Sequence, residues 1–119
     1  MAAPGKVALE LRQGIAQQVT SLLAPQPVVS AVLVIGSVAS GHVDERSDVD
    51  LLVILDKKGI SSNYKEILEN KKTVSVHLRE LRKTVPVDLL VYTRDEWTIL
   101  KNSGSSFIQQ IEMEGIRLI

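Results

Sequence analysis

The chain contains no cysteine, one tryptophan, two tyrosines and one phenylalanine, and its 14 basic residues are matched by 14 acidic ones, for a formal charge of zero. Without cysteine there is no disulfide framework, no zinc–thiolate site and no thiol nucleophile. So few aromatics leave a single-strand nucleic-acid channel without its usual stacking surfaces. Zero net charge argues against a protein that holds duplex nucleic acid mainly through its phosphates, so nucleic acid is not expected as the main partner. Long apolar runs are also missing. Ala31 to Ile35, and Val49 to Leu55 with Asp50 inside it, fall far below the roughly 20 residues of a membrane span. Residues 1–6 lack a charged head followed by an apolar core, so no secretory signal is expected and a cytoplasmic address is the default.

What is present describes one soluble domain, residues 1–119, able to bury roughly two-thirds of its unfolded surface without metal or disulfide support. Its charge is uneven. Residues 1–56 carry three basic and six acidic side chains, whereas residues 57–119 carry eleven and eight, so the halves differ as minus three against plus three. The acids of the first half gather between Asp44 and Asp56, the first feature that could hold a cation.

Apolar spacing organises the rest. Val7, Leu11, Ile15, Val19 and Leu22 recur every three or four residues and predict a helix from Lys6 to Leu23, stopped by Pro25 and Pro27. The β-branched run Val28 to Ile35 predicts a buried strand ending at Gly36, and Asp48 to Leu55 a second. Ile67, Val74, Leu78 and Leu81 fit one face of a further helix, with a break expected near Lys71 to Thr73. Val85 to Tyr92 predicts a third strand. Thr93 with Glu96, and Ser106 with Gln109, read as capping boxes of two short helices, the second closed by Gly115, and Ile116 to Ile119 as a small last strand. The expected architecture is α/β (α+β): a small mixed sheet of three to five strands, with helices mainly on one face and a cleft on the open side.

The chemistry-bearing stretch runs from Gly36 to Val53. Along a strand of period two, Asp48 and Asp50 project from one face while Val49, Leu51 and Val53 project from the other. Two carboxylates side by side repel each other unless a cation joins them, and hard oxygen ligands of this kind suit Mg²⁺ or Mn²⁺ with substrate phosphates completing the shell. Asp88, inside the apolar segment Val85 to Val91, brings a third acid if its strand neighbours the Asp48 strand. Gly36 and Ser37 directly follow a strand: the glycine permits a sharp turn and close approach of a phosphate, and the serine offers a hydroxyl donor. A phosphate cradle facing three carboxylates is the equipment of two-metal nucleotidyl transfer.

This arrangement of Gly-Ser, ten residues, Asp-x-Asp and a later Asp in an apolar strand resembles the minimal nucleotidyltransferases of the DNA polymerase beta superfamily. The likeness extends over nearly the whole chain, through Pro86-Val87-Asp88-Leu89-Leu90-Val91-Tyr92-Thr93 and the closing Ser106 to Leu118 segment. It implies a polymerase-beta-like palm fold, magnesium at Asp48, Asp50 and Asp88, two ions in all, and nucleotide phosphates at Gly36 and Ser37, with ATP as substrate. It also implies an antitoxin-like role, the transfer of AMP to a hydroxyl on a HEPN-type toxin partner, as in some members of the family; larger relatives modify antibiotics, which keeps a transferase acting on a small molecule as an alternative. One departure is visible. Many relatives resemble Gly-Ser-x-Ala-Arg-Gly, whereas Ser40 stands at the arginine's place here, which weakens the expected grip on phosphate and keeps open a second reading, a nucleotide-binding module that neutralises a partner by complex formation.

Other motifs carry less. Gly36 to Gly41 begins like a P-loop, but His42 and Val43 stand where Lys and Ser/Thr are required. His77 and Glu80 do not form a zinc pattern, and Lys57, Lys58, Lys71, Lys72, Arg79, Arg82 and Lys83 read mostly as a solvated face, a few of them bordering the cleft.

Overall fold

The computed structural model describes residues 4–36 and 49–119. Helix α1 spans Pro4–Leu23, and proline suits the first turn because its missing N–H has no helical partner there. Its C-terminal half buries Ile15, Val19 and Leu23, the three- and four-residue spacing of a single stripe. Strand β1 (Val29–Ile35) pairs antiparallel with β2 (Val49–Leu55), which in turn pairs in parallel with β3 (Val87–Thr93). The two-residue β4 (Ile116–Arg117) lies antiparallel on the other side of β1, giving the order β3-β2-β1-β4. The sheet is therefore mixed, with β3 as an edge.

A parallel pair needs a crossover. Here it is α2 (Tyr64–Ser75) followed by 3-10 turns at Val76–Leu78 and Leu81–Lys83. Asn63 caps α2, its side chain accepting from the Glu66 N–H at 2.9 Å. The helix continues through residues 71–73, where its propensity is weak, and the α-helical geometry gives way only after Ser75. The Thr73 hydroxyl donates back to the Glu69 carbonyl at 2.9 Å, so that the polar group is absorbed within the helix. The expected inward face is also modified. Val74, Leu78 and Leu81 are buried, but Ile67 is 47% exposed and Asn70 turns inward instead. Asn70 tolerates burial because its Oδ1 accepts from Lys57 Nζ at 3.0 Å and its Nδ2 donates to Ser61 Oγ at 3.2 Å.

Alternation along the strands divides the core in two. One face sets Val32, Val34, Val49, Leu51, Val53, Leu55, Val87 and Leu89 against α1 and the crossover. Fully burying a side chain such as Leu51 contributes roughly 1.5–3 kcal/mol. The other face sets Ala31, Ile35, Leu52 and Ile54 against Ile108 and Ile111, with Tyr92, Trp97 and Leu100 packed at its border. Those last residues come from β3, α3 (Arg94–Asn102) and α4 (Ser106–Glu114). Thr93 and Glu96 make the expected capping box at α3, whereas α4 is capped one residue earlier than expected, by Ser105, whose hydroxyl accepts from Ile108 N–H. None of the described helices is long and apolar enough to cross a membrane.

Candidate functional site

By alternation Asp50 shares the second face with Leu52 and Ile54, at the end of the sheet where β2 and β3 begin and β1 finishes. Hydrogen bonding fixes its neighbours. Asp50 stands opposite Ile35 on β1 and opposite Asp88 on β3, and the Val49 N–H donates to the Pro86 carbonyl at 2.9 Å, which anchors the start of β3. Adjacent strands lie about 4.8 Å apart, and partners in parallel register direct their side chains to the same side. Asp50 and Asp88 therefore form a pair of neighbouring carboxylates, the first half-buried and the second exposed on the edge strand.

Gly36 completes this group. Its φ is +73°, a left-handed conformation that residues with a Cβ rarely adopt. Any Cβ at this position would collide with the Asp50 carboxylate, whose Cγ would lie only 3.1 Å away and whose Oδ2 would be nearer still. The backbone turn at the end of β1 and the aspartate at the start of β2 therefore pack directly together, a contact possible for no other residue at position 36 without displacing Asp50. Beside Gly36 lies a small cleft lined by Ile35, Phe107, Gln110, Ile111, Glu114 and Gly115. The α4 residues of this lining fall at helical spacing 107, 110, 111, 114, a signal present in the sequence but linked to this end of the sheet only by the fold.

Of the expected site residues, Gly36, Asp50 and Asp88 are thus brought together. Ser37 and Asp48 lie outside the described residues. Among the described residues no three potential ligands gather into one group. Arg82 is a neighbour that spacing alone did not single out. Its Nη2 donates to the Val87 carbonyl at 3.2 Å, one residue from Asp88. The chemistry of the donors suits a hard divalent cation: paired carboxylate oxygens, with room on the exposed side for water and phosphate.

A family model described as polymerase beta, nucleotidyltransferase matches residues 17–119. The fold is similar to that of a candidate nucleotidyltransferase from Sulfolobus solfataricus, with 21% identity, a TM-score of 0.57, and coverage of 83% of this chain and 82% of that one. It is also similar to a chain of a toxin–antitoxin complex solved with AMP-PNP, at 19% identity and a TM-score of 0.53 over 87% of this chain and 72% of that one. A third likeness, at 18% identity and the same TM-score and coverage, is to a doubly Asp-to-Glu substituted variant of the MntA-HpeT toxin–antitoxin. No curated protein sequence matches the chain. Because the family match takes in all four strands together with Gly36, Asp50 and Asp88, the chain belongs to the polymerase beta nucleotidyltransferases.

Proposed function

We propose that the protein transfers AMP from ATP to a hydroxyl group on a partner protein, with Asp48, Asp50 and Asp88 holding two Mg²⁺ ions and Gly36 with Ser37 orienting the triphosphate. The observation that carries this reading is the register of β2 and β3, which pairs Asp50 with Asp88 on one face beside the Gly36 turn. Bound magnesium would supply charge neutralisation at the phosphates and lower the pKa of the attacking hydroxyl. Asp50, half-buried against Gly36, is held in place by the strand on each side of it, so its carboxylate presents oxygen ligands with little freedom to rearrange. Asp88, on the exposed edge, meets the acceptor and takes up its proton as the acceptor oxygen bonds to the α-phosphorus and pyrophosphate departs. We favour a protein acceptor, one that brings its own structure to the site. The toxin–antitoxin complexes among the similar folds point the same way, and a HEPN-type toxin is the acceptor class we favour.

The test is transfer of label from α-³²P-ATP with MgCl₂ to the product of the neighbouring reading frame, co-expressed with this chain. Label on the partner, lost on adding EDTA or in an Asp50→Asn, Asp88→Asn variant, is the expected result. A second reading, neutralisation by complex formation alone, is favoured by Ser40 at the position where many relatives carry arginine. It would be left standing if no label moved while the variant still formed the complex.

A further inference from the structure

Apart from the carboxylate pair, the densest charge of one sign lies between α2 and β3. Residues 71–83 hold Lys71, Lys72, Arg79, Arg82 and Lys83 against a single acid, Glu80. Lys83 is taken up by that acid at 3.0 Å. Lys72, Arg79 and Arg82 instead line one groove with Ser75 and Val76, and among the described residues none of the three is paired with a carboxylate. Arg82, in this lining, also donates to the Val87 carbonyl, which ties the groove to the start of the edge strand β3.

The same helix carries an apolar surface upstream. Tyr64 is 72% exposed and Leu68 39%, and with Lys72 they stand at i, i+4 and i+8, one stripe along the helix. Ile67 and Ile60 flank it, also exposed, and Val76 extends the apolar surface into the groove. Glu66 falls on the opposite side of α2, where its carboxylate is occupied by the Ser62 N–H and hydroxyl. With exposed Glu69 bordering it one turn before Lys72, the surface is apolar at one end and predominantly basic at the other.

Its own chemistry narrows what it fits. Two copies apposed through this face would set cations against cations or, turned end for end, against apolar side chains, and neither pairing neutralises the charge, which disfavours an isologous dimer. Tyr64, the aromatic on this surface, stands two helical turns from Lys72 and outside the groove lining, and Leu68, Ile67 and Ile60 offer phosphates nothing, which disfavours nucleic acid. We propose that this surface docks an amphipathic acidic helix of a partner protein, its apolar side chains against Tyr64 and Leu68 and its carboxylates along Lys72, Arg79 and Arg82. That the docked partner is also the acceptor, delivered to Asp88 from the β3 edge, rests on the transferase reading; the docking chemistry does not.

The probe is a fluorescein-labelled helical peptide of about 18 residues with leucines on one face and glutamates on the other, titrated with the full chain in the absence of nucleotide and metal. Saturable binding is expected, weakened about 10-fold or more both by Lys72→Glu with Arg79→Glu and by Tyr64→Ser with Leu68→Ser. All four positions are exposed, so both variants should melt as the parent chain does. Equal binding by either double variant, or equal binding of the peptide with lysine in place of glutamate, overturns the proposal. So does displacement of the peptide by DNA at matched charge, which would make the groove a general polyanion site, or a concentration-dependent dimer abolished by the same substitutions. A chain that binds the peptide but takes up no MgATP keeps the docking surface and sinks the transferase reading, and the reverse result does the opposite.

Discussion

The two ends of the β2–β3 pair use the same kind of side chain for different purposes. Where the strands finish, acids are consumed by the local backbone. Asp95 accepts from the Gly59 N–H, Glu96 from the N–H groups of Ser61 and Thr93, and Asp56 pairs with Arg94 at 3.2 Å. The Thr93 hydroxyl donates to the Gly59 carbonyl at 2.6 Å while accepting from the Glu96 N–H. Where the strands begin, Asp50 and Asp88 stand beside each other, and the Asp88 carboxylate has no hydrogen bond or ion pair among the described residues. A carboxylate bound to amides stabilises a loop, whereas two carboxylates in register weaken the fold unless something positive joins them. Acids bound to loop amides thus stand apart from Asp88, whose carboxylate is exposed at the sheet edge beside Asp50, a distinction residue type alone does not make.

This contrast can be broken most sharply at Asp50 and Asp88. Either aspartate changed to asparagine is expected to cut label transfer at least ~10²-fold, and for Asp88→Asn the melting temperature stays level or rises as repulsion is removed. Asp95→Asn should leave transfer unchanged; a loss there equal to that at Asp50 would erase the distinction. Gly36→Ala comes next. Strain at a positive φ and the collision with Asp50 should cost about 1–3 kcal/mol in urea unfolding, together with reduced transfer by the fraction that remains folded. Thr93→Val removes a helix cap and the bond to Gly59 at a fully buried position, for a loss of about 1–2 kcal/mol, with turnover per folded molecule unaltered.

The smallest effect concerns Tyr92. Partial burial, and secondarily the charge of Glu96, raise its phenol pKa above the ordinary value of 10.0. The unfolded chain therefore gives up this proton first, so the contribution is fully present below pH 10 and is lost as pH rises through the folded value. Urea unfolding at pH 8 and pH 11 should show a smaller alkaline loss for Tyr92→Phe than for the parent chain, and an equal loss would remove Tyr92 from the account.

Local patterns marked most of the elements. The β-branched runs, the Thr93–Glu96 box and the paired prolines after α1 each act within a few residues, and the helices and strands appear close to where those signals stand. Discrepancies arise where a distant partner decides. Ile67 fits the apolar period but is displaced outward, because Asn70 finds Lys57 and Ser61 across the crossover loop. The cap of α4 is Ser105 in place of Ser106, a choice between adjacent hydroxyls that spacing cannot make. At the candidate site, the two acids and the glycine were visible as types, whereas their convergence depended on β3 lying parallel to β2 with residue 88 level with residue 50. Arg82 stood in the sequence as one of seven basic residues, a few of them expected beside the cleft, and its hydrogen bond to the start of β3, which exists only after the chain has turned back, is what singles it out.

That parallel pairing has a consequence for synthesis. Asp50 and Asp88 come from strands joined by a long crossover, and contacts of this separation form late because loop closure precedes any return from them. A nascent chain that has emerged only as far as α2 has β1 and β2 but not yet Asp88. Nucleotide uptake during refolding should therefore appear with the final kinetic phase, which makes substrate binding a reporter of completed topology and leaves ribosome-bound fragments chemically silent.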